Sequence, residues 1–197
     1  GLTSITIPDS VTSIGSYAFY GCSNLSITSI PSSVVSIGNN AFYGCSALKS
    51  ISIGNNVEAI RSQTFYECTS LESIVIPDSA ISIGDYSFSK CSSLSSLTIG
   101  DNVKTIGAGA FYSCTNLNGE LNIPENVETI RSSAFLSNYP NLTKLVLPVG
   151  IKNVTFAGTN GAEFKGVFDI ESANVGGPEV SSNSIANHTD KTNVGLS

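Results

Sequence analysis

Residues 2–24 read LTSITIPDSVTSIGSYAFYGCSN, and near copies of this stretch follow one another at a period of 23 residues. The shared pattern is L-x-x-I-x-I-P-x-x-V-x-x-I-x-x-x-A-F-x-x-C, and the seven units begin at Leu2, Leu25, Leu48, Leu71, Leu94, Leu117 and Leu142. A constant period indicates that each unit occupies an equivalent place in a stack. The sequence therefore predicts one elongated repeat domain over residues 1–155, in which the seventh unit is incomplete.

The first part of each unit has the period of a β-strand. Ile5 and Ile7 alternate with Ser and Thr, which indicates a strand with one buried face. One such strand cannot bury its apolar face alone, so the stacked units are expected to form a parallel sheet with an inner row of Ile and Leu. Pro8 ends the strand, and Gly54 and Gly100 take its place in the third and fifth units.

The rest of each unit supplies the other side of the core. Val11 and Ile14 predict a second inward row on the returning side of the unit. The Ala18-Phe19 pair predicts a short helical or 3-10 turn that covers the core opposite the sheet. Two structural rows result, one of Phe and one of Cys: Phe19, Phe42, Phe65, Phe88 and Phe111, with Cys22, Cys45, Cys68, Cys91 and Cys114.

The Cys row is predicted to consist of buried thiols. Neighbouring Cys residues in a parallel stack would lie ~4.8 Å apart, with side chains that point the same way, which is a poor direction for a disulfide. Five Cys at one repeat position also cannot all pair within the chain. Zinc is not expected, because the chain has no CxxC and its one His, His188, lies far from the row. No metal and no cofactor is predicted.

Composition excludes some classes of partner. Charged residues are 12% of the chain and the net charge is -6, so nothing attracts a phosphate backbone, and nucleic acid is not an expected partner. No apolar run reaches the ~20 residues that cross a bilayer, so no transmembrane segment is predicted. The chain begins at Gly1 directly on a repeat, so the presence of a leader in the whole protein stays open.

The repeat loses its regularity towards the end of the chain. One extra residue falls at Asn118-Gly119, which predicts a bulge on the strand, and another falls between Phe135 and Leu142, which predicts a loosened turn. Apolar residues within 156–175 predict a C-terminal cap on the last repeat. Residues 176–197 have the composition of a polar tail or linker.

The unit resembles the BspA-like subclass of leucine-rich repeat proteins, because Ile14-Gly15, Ala18-Phe19 and Cys22 recur together in successive units over residues 1 to about 155. The resemblance implies a gently curved right-handed solenoid with a parallel sheet on one face. It also implies an extracellular or cell-surface protein of a host-associated microbe, since family members are implicated in adhesion to host matrix proteins and to other cells. Ordinary leucine-rich repeats carry an Asn row after the strand, whereas this chain has Pro or Gly there.

Two rows of outward side chains are candidate binding surfaces. The first is the strand face, which is rich in hydroxyls: Thr3, Ser4, Thr6, Ser26, Ile27, Ser29, Lys49, Ser50, Ser52, Glu72, Ser73, Val75, Ser95, Ser96, Thr98, Thr143, Lys144 and Val146. The second is the Tyr row, interrupted by Ser89: Tyr20, Tyr43, Tyr66 and Tyr112. The alternatives are that the hydroxyls only keep the face soluble, and that the Tyr rings only pack over the adjoining unit.

Neither catalysis nor metal binding is expected at any of these positions. Asp78 and Asp101, in neighbouring units, would be close enough to share a cation, but Pro-Asp and Gly-Asp also form turns. No Ser-His or Cys-His arrangement is available, because the one His lies in the polar tail. We therefore expect a non-enzymatic adhesion or ligand-binding protein, secreted or at the cell surface, that binds a host matrix or cell-surface protein or a glycan. The alternative is a structural spacer without binding activity.

Overall fold

The computed structural model describes residues 1–135, 141–148, 151–154 and 168–169, and it is a parallel β-solenoid of about six turns. The strands are short: β1 Ser13–Ile14, β2 Ser29–Ile30, β3 Ser36–Ile37, β4 Ser52–Ile53, β5 Ala59–Ile60, β6 Ser73–Val75, β7 Ser82–Ile83, β8 Ser96–Thr98, β9 Thr105–Ile106, β10 Asn118–Asn122, β11 Thr129–Ile130, β12 Asn141–Val146, β13 Asn153–Val154 and β14 Phe168–Asp169. The second to seventh units therefore each contribute one short strand to each of two faces, whereas residues 2–8 of the first unit form no strand and the predicted inward residue Ile5 is 37% exposed.

The predicted parallel strand pairing is confirmed, but the strand face is divided into three sheets. Parallel pairs join β2 to β4, β6 to β8, and β10 to β12, which also pairs with β14. Between β4 and β6 the connection is reduced to one bridge, Ser50 to Ser73.

Proline limits the ladder between β4 and β6. The backbone N–H of Ile76 donates to the carbonyl oxygen of Thr98 in β8 (2.9 Å), so the next backbone nitrogen, that of Pro77, faces β4. Proline has no N–H to donate there, and the ladder to β4 ends. Gly54 and Gly100 stand at the same place in their units as Pro77. Because they have no side chain, their backbones can approach the preceding unit closely. A Cβ at Gly54 would lie 2.5 Å from the Pro31 oxygen, and one at Gly100 would lie 2.4 Å from the Pro77 oxygen.

The second inward row is itself hydrogen bonded, which the sequence did not predict. β1 pairs with β3, and β5, β7, β9, β11 and β13 form a five-stranded parallel sheet. Each of these strands ends on a residue of the inward row, and five of these residues are Ile side chains of the core that are at most 1% exposed: Ile37, Ile60, Ile83, Ile106 and Ile130. The described part of the chain thus has parallel pairing on two faces, where one was expected.

The predicted helical or 3-10 turn is wrong. In its place, alternate backbone N–H groups donate to the next unit, as Phe19 does to the Ala41 oxygen (2.8 Å), while the residues between them make β-turns within the unit. Two positions four residues apart have positive φ, as Tyr17 (60°) and Gly21 (68°) do in the first unit. A right-handed helix needs negative φ at every residue, so these left-handed positions prevent one from forming.

The Phe and Cys rows lie in the core as predicted. Neighbouring Phe rings from Phe19 to Phe111 stack with centroids 5.1–5.4 Å apart, and Phe135 extends the row. All five Cys residues are free thiols, and four of them are buried. Phe19 and Cys22 are only partly buried, which corrects the expectation of uniform burial, because their unit has a neighbouring unit on one side only among the described residues.

One outward assignment is wrong. Ile27 is 3% exposed and lies in the core, while Thr28 beside it is exposed. The second unit has its apolar residue one place early, and the gain from burying Ile outweighs strict alternation because residues 25–28 form no regular strand. This local change turns the Thr28 side chain outward.

The C-terminal predictions are only partly within the described residues. The strand register shifts between Gly119 and Glu120, where a bulge was predicted, but the residue without one directly opposite is Thr143 of β12 and not a residue of β10. The loosened turn, the polar tail and most of the cap lie outside the described residues, although β14 within the cap range pairs with β12. Among the described residues no helix has the length and apolar character of a membrane-spanning segment.

Candidate binding surfaces

The strand face presents the predicted hydroxyl groups to solvent. Of the eighteen residues that the sequence assigns to this face, fourteen are exposed, Ser95, Lys144 and Val146 are half-buried, and Ile27 is buried. Val75 is the most exposed apolar residue of the face, at 61%. Several of these side chains, among them those of Ser52, Ser73 and Thr98, lie on strands that pair with a neighbouring unit.

A shallow depression of about 430 Å³ opens on this face where the ladder between β4 and β6 ends. Its polar lining consists of Thr28, Ser50, Ser52, Asn55 and Ser73. None of its lining residues is ionisable. Thr28 and Asn55 were missed by sequence reasoning, although the displaced Ile27 was a visible signal for the first of them.

The Tyr row is only partly assembled. Tyr20, Tyr43 and Tyr66 stack with ring centroids 4.7 Å apart at both steps, and Tyr17 packs against Tyr20 at 5.7 Å with tilted rings. Tyr112 is exposed two units further on, beyond the interruption at Ser89, which is buried. Three of the four predicted Tyr residues therefore form one surface. Their ring faces contact each other, so the edges and hydroxyls are what a partner can reach.

A Lys–Glu ion pair lies at the end of this stack, and sequence analysis did not predict it. The Lys90 Nζ donates to the Glu67 Oε1 at 2.8 Å and lies 5.1 Å from the centroid of the Tyr66 ring. The hydrogen bond to Glu67 raises the pKa of Lys90, and burial together with the charge of Glu67 raises the pKa of Tyr43. Both Glu67 and Lys90 have positive φ, at the position where the first two units have Gly.

The Cys row has a structural role in the core. Each of four thiols donates to the carbonyl oxygen of a Phe in the preceding unit, as the Cys91 Sγ does to Phe65 at 3.2 Å. Burial raises the pKa of Cys45 to about 12, and it also raises the pKa of Cys68, Cys91 and Cys114. A neutral, buried thiol is a poor nucleophile and a poor metal ligand.

The acidic turn residues have a structural partner. The Asp78 Oδ1 accepts the backbone N–H of Asp101 at 2.9 Å, which is a turn interaction between units. Within the described residues no cluster of three or more His, Cys, Asp or Glu is arranged to hold a metal ion. An Asn row is also present two places after the Pro or Gly that follows the strand, where Asn56, Asn102 and Asn126 donate to backbone oxygens of the preceding unit at 2.7–2.9 Å.

Comparison with known proteins gives the family. The family described as BspA type leucine rich repeat region matches residues 1–118 and 35–162, with six copies of the repeat. The chain belongs to this family. No curated protein sequence gives a significant match.

Solved structures of bacterial leucine-rich repeat proteins share the fold. A leucine-rich repeat protein of T. pallidum is 34% identical, with a TM-score of 0.67 over 73% of this chain and 68% of that one. A protein of Eubacterium ventriosum is 26% identical, with a TM-score of 0.61 over 83% of this chain and 40% of that one. A leucine rich cell surface protein of Faecalibacterium prausnitzii is 26% identical, with a TM-score of 0.52 over 79% of this chain and 54% of that one. The chain thus spans about half or less of the length of these last two proteins.

Proposed function

We propose that this chain is a non-enzymatic ligand-binding repeat protein, secreted or displayed on a microbial cell surface, whose strand face contacts a protein or glycan of a host. The observation that carries the proposal is the exposed, weakly charged row of hydroxyls, which leads into the depression between β4 and β6. The family and the cell-surface relative from Faecalibacterium prausnitzii support the location.

The strand face suits binding because its backbone is ordered before the ligand arrives. Side chains fixed on paired strands lose little conformational freedom on association, so many weak contacts can add up to a useful affinity. A ligand that contacts several repeat units at once can also use the whole exposed length of the strand face.

The Tyr stack is the second candidate surface. Tyr is common at the centre of protein interfaces, because it buries a large area and keeps a polar hydroxyl. Here three stacked rings meet a Lys–Glu pair, which is an arrangement suited to a protein partner. The hydroxyl face and the Tyr stack can be tested independently by substitution.

The test is binding of the purified chain to immobilised fibronectin, laminin, fibrinogen and collagen, and to host cells, by surface plasmon resonance and flow cytometry. We expect saturable binding to at least one of these, and we expect Ser73→Glu to weaken it if the strand face is used. Thr12→Glu is the matched control, because it adds the same charge at an exposed site outside both surfaces.

Tyr43→Ala combined with Tyr66→Ala tests the other surface in the same assay. A loss of binding in this variant alone would assign the function to the Tyr stack. Absence of binding to every protein and every cell type would overturn the proposal and favour the structural spacer.

A further inference from the structure

We infer that the depression between β4 and β6 is a binding site for a neutral glycan. This inference rests on the proposed function and names the class of ligand for the strand face. It follows from the charge, the hydrogen-bonding groups, the exposed apolar surface and the position of the site.

The first observation is the charge of the lining. None of the ten residues that line the depression is ionisable. A second depression of about 360 Å³ at the turn after the strand face has both Asp78 and Lys104 in its lining. A charged ligand in the first site would lose hydration without meeting an opposite charge, which is unfavourable. A neutral ligand has no such cost.

The second observation is the kind of polar group. A hydroxyl both donates and accepts, and the Asn55 amide offers both functions on separate atoms. The hydroxyls of Ser50 and Ser73 make no side-chain hydrogen bond within the described part of the chain, so they are available to a ligand. The Ser52 hydroxyl donates to the backbone carbonyl oxygen of Thr28 at 3.4 Å, and its own oxygen can still accept a hydrogen bond from a ligand. Sugar hydroxyls have the same dual character.

The third observation is an apolar surface beside these hydroxyls. Val75 is 61% exposed at the depression, and Pro77 lies next to it in the lining. A pyranose ring carries C–H groups on its faces and hydroxyls at its rim. The lining therefore offers a complementary surface to each part of the sugar, within the ordinary volume range of ligand sites.

The position of the site favours a glycan over a peptide strand. A peptide that binds by strand addition needs an open sheet edge with free backbone groups. The edges of β4 and β6 face each other at the depression, but the two units that carry them stack with the Phe65 and Phe88 ring centroids only 5.3 Å apart, so no further strand fits between them. The hydroxyl row continues past it to Ser96 and Thr98, so an oligosaccharide can extend along successive units.

The experiment is isothermal titration of the full chain with four hexasaccharides. Cellohexaose, chitohexaose and mannohexaose are neutral, and hexagalacturonic acid is a charged compound of similar length. We expect at least one neutral hexasaccharide to bind and hexagalacturonic acid to bind more weakly. Chemical shifts of the ¹⁵N-labelled chain should move at Ser50, Ser73 and Val75.

The decisive variant is Val75→Asp, which places a charge at the depression on an exposed position that tolerates substitution. It should weaken binding of the neutral glycan by about tenfold or more, because the bound glycan would cover the new carboxylate and leave it without water or an opposite charge. Ile81→Asp is the matched control, since Ile81 is 54% exposed on the other face. The affinity of this variant for the glycan should stay within about twofold of that of the unsubstituted chain.

Three results would overturn the inference: no binding of any neutral hexasaccharide, equal affinities in the Val75→Asp and Ile81→Asp variants, or tighter binding of the acidic compound. If matrix proteins still bind through the strand face in the separate assay, the proposed function stands and only the glycan assignment fails. If both assays are negative, both fail.

Discussion

The Cys68 thiol donates a hydrogen bond to the carbonyl oxygen of Phe42, 3.2 Å away in the preceding repeat unit. The same oxygen also accepts the backbone N–H of Cys45 at 3.2 Å, so one carbonyl joins two units through two Cys residues. This relationship explains why the repeat keeps Cys at a position where packing alone would accept Ala or Val. The thiol is small enough for the core and still has a proton to donate.

Replacing Cys68 with Ala should therefore lower the free energy of unfolding by about 1–2 kcal/mol, from the lost hydrogen bond and a small cavity. Urea unfolding followed by circular dichroism measures the change. Cys22→Ala is the control, since Cys22 is only partly buried, and its cost should be smaller. Equal costs at the two sites would show that the buried hydrogen bond contributes nothing.

Stability should fall in alkali because of the same thiols. Burial raises the pKa of Cys45 to about 12 from an ordinary value of 9.0, so the unfolded chain releases a proton that the folded chain holds. This contribution is complete below pH 9 and is lost as the pH rises towards 12, by up to about 1.4 kcal/mol per pH unit for each thiol. Urea unfolding at pH 8 and pH 10 measures the slope.

Cys91→Ala separates this effect from other alkaline titrations. The thiol of Cys91 is buried and its pKa is raised in the same direction, so its removal should make the slope between pH 8 and pH 10 less steep. An unchanged slope would contradict the assignment of the alkaline loss to the thiols.

Phe65→Ala should be the most damaging single substitution in the middle of the stack. The Phe65 ring is fully buried and stacks on Phe42 at 5.2 Å and on Phe88 at 5.3 Å. The loss should be about 3–5 kcal/mol, measured by thermal and urea unfolding. Phe19→Ala removes a ring that is only partly buried and should cost clearly less. A similar cost for both would mean that contact with units on both sides adds no stability.

Gly100→Ala should disturb the pairing of β6 and β8. The new Cβ would lie 2.4 Å from the carbonyl oxygen of Pro77, so the backbones must separate, at a cost of about 1–3 kcal/mol. Gly15→Ala is the matched control, because its Cβ would meet nothing within 4 Å. Hydrogen exchange at Ile76, whose N–H donates to Thr98, should quicken in the first variant alone. Unchanged exchange there would contradict the close approach.

The two candidate surfaces were predictable to different extents. The strand face follows from alternation of Ser or Thr with Ile, and most of its outward residues are exposed in the structure. Ile27 departed from that prediction because burial of its side chain overrides the local alternation. The ion pair of Glu67 and Lys90 was missed although the two residues are one 23-residue period apart, since the period places them side by side but does not give the directions of their side chains.

The sequence by itself determined the period, the inward rows and the family, because burial of apolar side chains at one constant spacing admits only a stack of equivalent units. Only the tertiary structure decided where the strand ladder ends and where the depression opens. That outcome depends on which backbone nitrogen faces the neighbouring unit: Pro77 turns a nitrogen without a proton towards β4, whereas Gly54 lets its unit approach β2 closely. The Pro or Gly at this position of each unit is visible in the sequence, but which neighbouring strand its nitrogen faces is set only when the units stack.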